Sequence, residues 1–136
     1  MTGIWVLLAA LVLTAVLAVW HRRSSGRLRA AKKGDAREDL RPLLPAAGSR
    51  ATLLQFSSAF CAPCRATKRV LGDIASALDG VEHVEVDAES HLDLVRRLGI
   101  LKTPTTLVLD SAGREVVRAS GQPRKEQVLA ALDRAV

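Results

Sequence analysis

The chain has 136 residues, the length of one small domain with additional segments. Its net charge of +6 is uneven: residues 1–49 carry eight Lys/Arg and three Asp/Glu, whereas residues 50–136 carry twelve and eleven. The C-terminal part is nearly neutral and the whole chain has two Phe and no Tyr, so it lacks the basic, aromatic surface that nucleic-acid binding requires. We expect no nucleic-acid partner.

An uninterrupted apolar segment begins the chain. Ile4–Trp20 contains no charged side chain and as a helix would be about 25 Å long, close to the thickness of the bilayer hydrocarbon. Trp5 and Trp20 lie near its two ends, where aromatic side chains favour the membrane interface. A cleaved signal peptide is the competing interpretation, but no basic side chain precedes the segment and no small-x-small cleavage site ends it. The sequence therefore predicts a single-pass anchor over residues 1–21 in the lipid bilayer.

A basic segment follows this anchor. Seven Lys/Arg lie between residues 22 and 37, and none precedes Ile4. The positive-inside rule then places the rest of the chain on the cytoplasmic side of the cell membrane, although long domains cross membranes largely regardless of charge. The alternative is that these charges only stop transfer and keep the segment soluble. Residues 22–39 show no periodicity, which predicts a flexible linker, with one short helix at Arg37–Leu44.

Residues 40–136 alternate between strand and helix patterns. In order, we predict a strand at Ala51–Phe56, a helix at Pro63–Leu78, a strand at Val81–Val86, a helix from a capping box at Ser90-His91-Leu92-Asp93 to Gly99, strands at Thr105–Leu109 and Glu115–Ala119, and a last helix with Pro123 at its first position. This order predicts an α/β domain with a central mixed sheet flanked by helices.

The only two cysteines, Cys61 and Cys64, lie between the first of these strands and the first of these helices. Two thiols at this spacing can form a disulfide, and a helix N-terminus stabilises the thiolate of the first cysteine. Because a thiolate attacks disulfides, the motif indicates dithiol–disulfide exchange. Two other interpretations are a pair of buried, inert cysteines and half of a zinc site. A zinc site needs further ligands, and His21, His83 and His91 do not have the spacing of zinc-finger partners.

These motifs resemble the thioredoxin family over Leu40–Val136. Phe60-Cys61-Ala62-Pro63-Cys64-Arg65 is similar to that family's Trp-Cys-Gly-Pro-Cys-Lys/Arg, and Thr103-Pro104-Thr105 to its cis-proline loop. Gly121 matches the glycine before its last helix. The resemblance implies a thioredoxin-like fold and a protein-disulfide oxidoreductase with a CAPC active site, without cofactor or metal.

The resemblance also assigns roles to residues and partners. It implies that Cys61 attacks and Cys64 resolves, that protein disulfides or dithiols are the substrates, and that an upstream reductant or redox partner is needed. The implied substrate-binding residues are Phe60, Ala62, Pro63, Thr103 and Pro104.

Two positions depart from the family. Phe60 replaces a tryptophan, and Gln55 replaces a buried aspartate that assists proton transfer. An amide takes no proton near neutral pH, so another group, such as Glu85 or Asp87 if either points inward, would have to do so. Two further function classes stay open: a glutaredoxin-like glutathione-dependent reductase, and a non-enzymatic metal carrier or assembly factor that uses the same thiols.

Overall fold

The computed structural model describes residues 2–24, 26–30, 37–44 and 47–136. The helices are α1 (Thr2–Ser24), α2 (Arg37–Leu40), α3 (Ala62–Ala77), α4 (Leu92–Arg97) and α5 (Lys125–Ala135), and the strands are β1 (Leu28–Ala30), β2 (Ala51–Ser57), β3 (Val81–Asp87), β4 (Thr105–Asp110) and β5 (Glu115–Ser120). A 3₁₀ turn at Arg41–Leu43 follows α2.

Helix α1 is apolar on every side and buries none of its residues. It is 23 residues long, or about 34 Å, and its most apolar window has a mean hydropathy of 2.5. The helix is therefore long and apolar enough to cross a membrane.

The strands form one mixed sheet in the order β1-β5-β4-β2-β3. β2 pairs in parallel with β3 and antiparallel with β4, and β5 pairs antiparallel with both β4 and β1. All seven residues of β2 are buried, because it has a neighbour on each side and helices cover both faces of the sheet. The predicted α/β fold with a central mixed sheet is confirmed.

Side chains of β2 alternate between two apolar clusters. Leu53 packs with α3 and α5 on one face, and Leu54 and Phe56 pack with α4 on the other. By the same alternation Gln55 projects to the face that α3 covers. A polar, fully buried side chain thus lies beneath the start of α3.

The structure differs from the sequence-based expectations at the N-terminal side of the domain. α1 continues to Ser24, past the predicted end of the anchor, and Leu28–Ala30 within the predicted linker form strand β1. Such a short strand rests on backbone pairing with β5, and only Leu28 packs against the core, so no hydrophobic periodicity reveals it. The prediction of a flexible linker is therefore wrong for these three residues.

Two helix starts also differ from the predictions. His91, not Ser90, is the N-cap of α4, and no side chain caps this helix because the Ser90 hydroxyl donates to Asp87 Oδ2 at 2.6 Å instead. α5 begins at Lys125 rather than at Pro123, and the Gln127 side chain accepts the N–H of its N-cap, Arg124. The predicted helix at Arg37–Leu44 is divided into α2 and the 3₁₀ turn.

Candidate active site

The two cysteines lie where β2 leads into α3. Cys61 is the N-cap of α3, and its Sγ accepts the backbone N–H of Cys64 at 3.2 Å. The two sulfurs form a disulfide, with the Cα atoms 5.2 Å apart. Cys61 is half-buried, whereas Cys64 is only 3% exposed, so solvent reaches the first sulfur and not the second.

Apolar side chains surround the disulfide on its outer side. Phe60 is fully exposed at 101% and has φ of 56°, in the left-handed region. Ala62 and Pro63 are exposed in the first turn of α3. Pro at this position costs no helical hydrogen bond, because the first N–H groups of a helix have no intrahelical partner.

The loop before β4 is bonded to the loop before Cys61. The Thr103–Pro104 peptide bond is cis, as the resemblance implies, and Pro104 is buried. The hydroxyl groups of Thr103 and Ser58 share a hydrogen bond of 2.8 Å. The Pro104 carbonyl accepts the N–H of Gly121 at 2.7 Å. The structure thus joins three motifs that are far apart in the sequence.

A polar network lies beneath Cys64. The Gln55 amide nitrogen donates to the Cys64 carbonyl at 2.9 Å and to the Ser57 hydroxyl at 3.0 Å, and its oxygen lies 3.0 Å from Nε2 of His83. Because a carbonyl only accepts, the amide nitrogen must face Cys64 and the amide oxygen must face His83. His83 therefore carries a proton on Nε2 and donates it to Gln55.

His83 is the titratable member of this network. Burial lowers the pKa of its imidazole below the usual 6.5, and Lys68 acts in the same direction, while Glu85 opposes both. The sequence indicated only a strand residue here. The alternation of side chains along the strands would have identified this partner. Gln55 on β2 and His83 on β3 are diagonal neighbours on paired parallel strands, so their side chains project to the same face of the sheet.

The two carboxylates that the sequence analysis considered differ in their position relative to this network. Glu85 lies at the border of the network, with its side chain 32% exposed. Its hydrogen bond with the Lys68 ammonium lowers the pKa of its carboxyl, burial opposes this, and the Ser57 hydroxyl acts in the same direction as Lys68. The hydroxyl of Ser90 lowers the pKa of the exposed Asp87 carboxyl. Asp87 faces solvent, whereas Glu85 is linked through the Ser57 hydroxyl to Gln55, so of these two carboxylates Glu85 is the one connected to the buried network.

The structure does not bring histidines to the cysteines in the manner of a zinc site. Among the residues it describes, no group of three or more His, Cys, Asp and Glu side chains is arranged to hold a metal ion. His83 bonds to Gln55, and Nδ1 of His91 bonds to the Asp87 carbonyl at 2.9 Å.

Comparison with known proteins agrees with this geometry. The sequence profile of the thioredoxin-like domain matches residues 43–135. A thioredoxin from Alicyclobacillus acidocaldarius is 34% identical over 86 residues, which are 62% of this chain and 81% of that protein. Human thioredoxin domain-containing protein 2 is 31% identical over 70 residues, but these are 52% of this chain and only 13% of that protein.

Solved structures show the same fold. Fasciola hepatica thioredoxin superposes with a TM-score of 0.60 at 23% identity, over 73% of this chain and 93% of its own. Thioredoxin F from spinach chloroplast also gives 0.60, at 24% identity, over 73% of this chain and 88% of its own. With a disulfide-forming Cys-x-x-Cys pair at the start of α3, the chain belongs to the family of thioredoxin-like redox proteins.

Proposed function

We propose that this protein is a membrane-anchored thiol–disulfide oxidoreductase that exchanges disulfides with protein substrates. The observation that carries the proposal is the asymmetry of the cysteine pair: Cys61 is accessible at the N-terminus of α3, and Cys64 is buried beside it. An accessible first thiol followed by a shielded second one suits capture and then release of a substrate.

In the reduced protein, the Cys64 N–H and the dipole of α3 favour the thiolate of Cys61. This thiolate attacks one sulfur of a substrate disulfide, forms a mixed disulfide and expels the other sulfur as a thiolate. Cys64, as thiolate, then attacks Cys61 Sγ and releases the second substrate sulfur. The substrate gains two electrons, and the protein is left with the Cys61–Cys64 disulfide. An upstream dithiol reductant then reduces this disulfide and regenerates the two thiols.

The surface around the disulfide supports binding of an extended substrate segment. Phe60, Ala62 and Pro63 offer apolar contact on one side of Cys61. Thr103 and Pro104 lie on the loop that bonds to Ser58, and we assign to them the backbone contact with the substrate.

The proposed anchor is the segment of residues 1–21, of which residues 2–21 lie in α1, and the proposed redox domain comprises residues 40–136 together with β1. The excess of Lys and Arg after this helix supports a cytoplasmic domain. Paired C-terminal fusions, one reporter active only in the cytoplasm and one active only outside, test this orientation. Activity of the external reporter alone would contradict it.

The roles of the two thiols are tested by limiting alkylation and trapping. We expect substoichiometric iodoacetamide to label Cys61 first in the reduced protein. The Cys64→Ser variant should accumulate mixed disulfides with a disulfide substrate such as insulin, and Cys61→Ser should not. Preferential labelling of Cys64 would reverse the roles. Stoichiometric zinc or copper on the reduced protein, without insulin reduction, would replace the proposal with metal carriage.

A further inference from the structure

The disulfide lies at one particular edge of the sheet, which we call the catalytic edge. β2 and β5 end there, and β4 and β1 begin there: Phe56 pairs with Thr105, Thr105 with Ser120, and Leu28 with Ala119. The turn between β4 and β5 lies at the opposite edge. The chain therefore joins the sheet from α1 at the same edge as the active site.

Contacts at the start of β1 hold this segment against the active-site loops. The Gly26 N–H donates to the carbonyl of Ser120, the last residue of β5, at 2.7 Å, and Gly121, which follows β5, donates to the Pro104 carbonyl at 2.7 Å. Gly26 has φ of 77°, and a Cβ on it would lie 2.1 Å from the backbone oxygen of Gln122. Gly26, just before β1, is thus packed closely at the catalytic edge.

The connection from α1 to the sheet is short. α1 ends at Ser24 and β1 begins at Leu28, so these residues lie at most about 14 Å apart. Leu28 and Gln55 are in the same row across the sheet, three strand spacings or about 14 Å apart. β1 then runs away from the catalytic edge, and the opposite edge is about 20 Å further along the strands.

The chemistry of the catalytic edge suits a bilayer surface. Beyond α1, five large apolar side chains of the described residues are exposed, and three of them, Phe60, Leu92 and Leu101, follow or precede strand ends at this edge. Lys102 is also exposed there. The exposed acidic residues Asp87 and Glu89 lie at the end of β3, the strand farthest from β1. Anionic headgroups would disfavour contact with these two side chains.

We propose that the short connection holds the dithiol facing the membrane surface, and that the substrates are membrane proteins whose disulfides lie close to that surface. This inference rests on the proposed oxidoreductase function. The reduced Cys61/Cys64 pair passes two electrons to the membrane protein's disulfide, which becomes two thiols, and a soluble dithiol then reduces the resulting Cys61–Cys64 disulfide. A substrate disulfide held far above the bilayer is out of reach of the tethered domain.

The orientation is measured without any catalytic turnover. In nanodiscs, one fluorophore is attached to Cys61 of the full-length Cys64→Ser variant, and another to Ser111→Cys in a chain with Cys61→Ser and Cys64→Ser. Ser111 is exposed in the turn at the opposite edge, so it is the matched position. A quencher on lipid headgroups should quench the label on Cys61 more strongly. Equal or reversed quenching would overturn the orientation.

The substrate class is measured with two single-span peptides placed in the same nanodiscs. One carries its disulfide next to the span, and the other carries it on a long spacer. Because tethering both partners raises the effective concentration, we expect about tenfold faster reduction of the disulfide near the bilayer. A Gly/Ser insertion of about 12 residues after Ser24, adding roughly 20 Å of reach, should abolish this preference. The same insertion between Ser111 and Ala112 is the control and should preserve it.

The outcomes separate this inference from the proposed function. Equal rates for the two peptides, or a preference that survives the insertion after Ser24, would overturn the substrate class while leaving oxidoreductase activity intact. Reduction of neither peptide nor of soluble insulin would overturn the proposed function and the substrate class together. The quenching measurement decides the orientation in either case.

Discussion

The two sides of the Cys61–Cys64 disulfide differ in polarity and in how completely they are covered. On the outer side, Phe60 next to Cys61 is 101% exposed, and Leu101, in the loop that leads to the cis-proline, is 96% exposed. Beneath the disulfide, Gln55 is fully buried and has hydrogen-bond partners at both ends of its amide. An apolar surface without a partner is suited to binding another molecule, whereas a polar group without water must be satisfied within the fold.

From this contrast we expect the exposed side of the disulfide to bind substrates and the buried side to stabilise the fold. We expect changes beneath the disulfide to act mainly on stability, because each polar group there depends on the others. Changes at the exposed side should act mainly on substrate binding, because these side chains make few contacts within the domain. The predictions below test this division, beginning with the largest expected change.

Replacing Gln55 with leucine should destabilise the fold. The substitution leaves the Nε2–H of His83 and the Ser57 hydroxyl without their amide partner, at a cost of about 1–3 kcal/mol in the free energy of unfolding. Urea denaturation of the oxidised protein measures it. The control is Thr106→Val on the neighbouring strand, because the buried Thr106 hydroxyl has no hydrogen-bond partner among the described residues. Losing this hydroxyl should hardly change the free energy of unfolding. Equal costs for Gln55→Leu and Thr106→Val would contradict the argument.

Much of this contrast is readable from the sequence, and the reason differs by residue. Cys61 and Cys64 were found because spacing and position before a helix suffice to identify the motif. Phe60 and Gln55 stood out as departures from a family pattern. His83 was missed as a partner of Gln55, because only the parallel register of β2 and β3 brings the two side chains together.

Most positions of the helices and strands were also predictable from the sequence. The buried strands and α3 have strong periodicity, so their positions agree with the predictions within a few residues. β1 has almost none, since it depends on backbone bonds to β5. The cap of α4 was misplaced because the hydroxyl of Ser90 has a closer acceptor in Asp87, a competition that sequence spacing does not reveal.

His83 should make the fold less stable in mild acid. Burial lowers the pKa of its imidazole in the folded protein, so below pH 6.5 the unfolded chain binds a proton that the folded chain resists. Stability is therefore lost as the pH falls below 6.5 toward the lower folded value. The lowered carboxyl pKa values of Glu85 and Asp87 act in a separate window, below about pH 4.

Denaturation at about pH 7.5 and pH 5.5 isolates this contribution. His83→Gln keeps an amide donor for Gln55 but does not titrate, so it should lose less stability than the parent protein over this interval. The matched control is His91→Gln, which leaves the His83–Gln55 pair intact and should therefore lose more stability over this interval than His83→Gln. If His83→Gln lost as much stability as the parent protein, the buried histidine would not be the cause.

Phe60→Gly should produce the smallest change in stability and a selective loss of activity. Glycine adopts the positive φ of this position without strain, which stabilises the variant, but it has greater freedom in the unfolded chain, which destabilises it. Because the two effects oppose each other, the free energy of unfolding should change by less than about 1 kcal/mol. Because the ring is exposed in the free protein, removing it forfeits apolar contact only when a substrate binds. We expect kcat/KM for disulfide reduction to fall about fivefold, equivalent to roughly 1 kcal/mol of lost burial.

Leu129→Ser removes an exposed apolar side chain on α5, away from the disulfide, and should leave kcat/KM unchanged. A large loss of stability in Phe60→Gly, or an equal loss of activity in Leu129→Ser, would contradict the assignment of recognition to the exposed side.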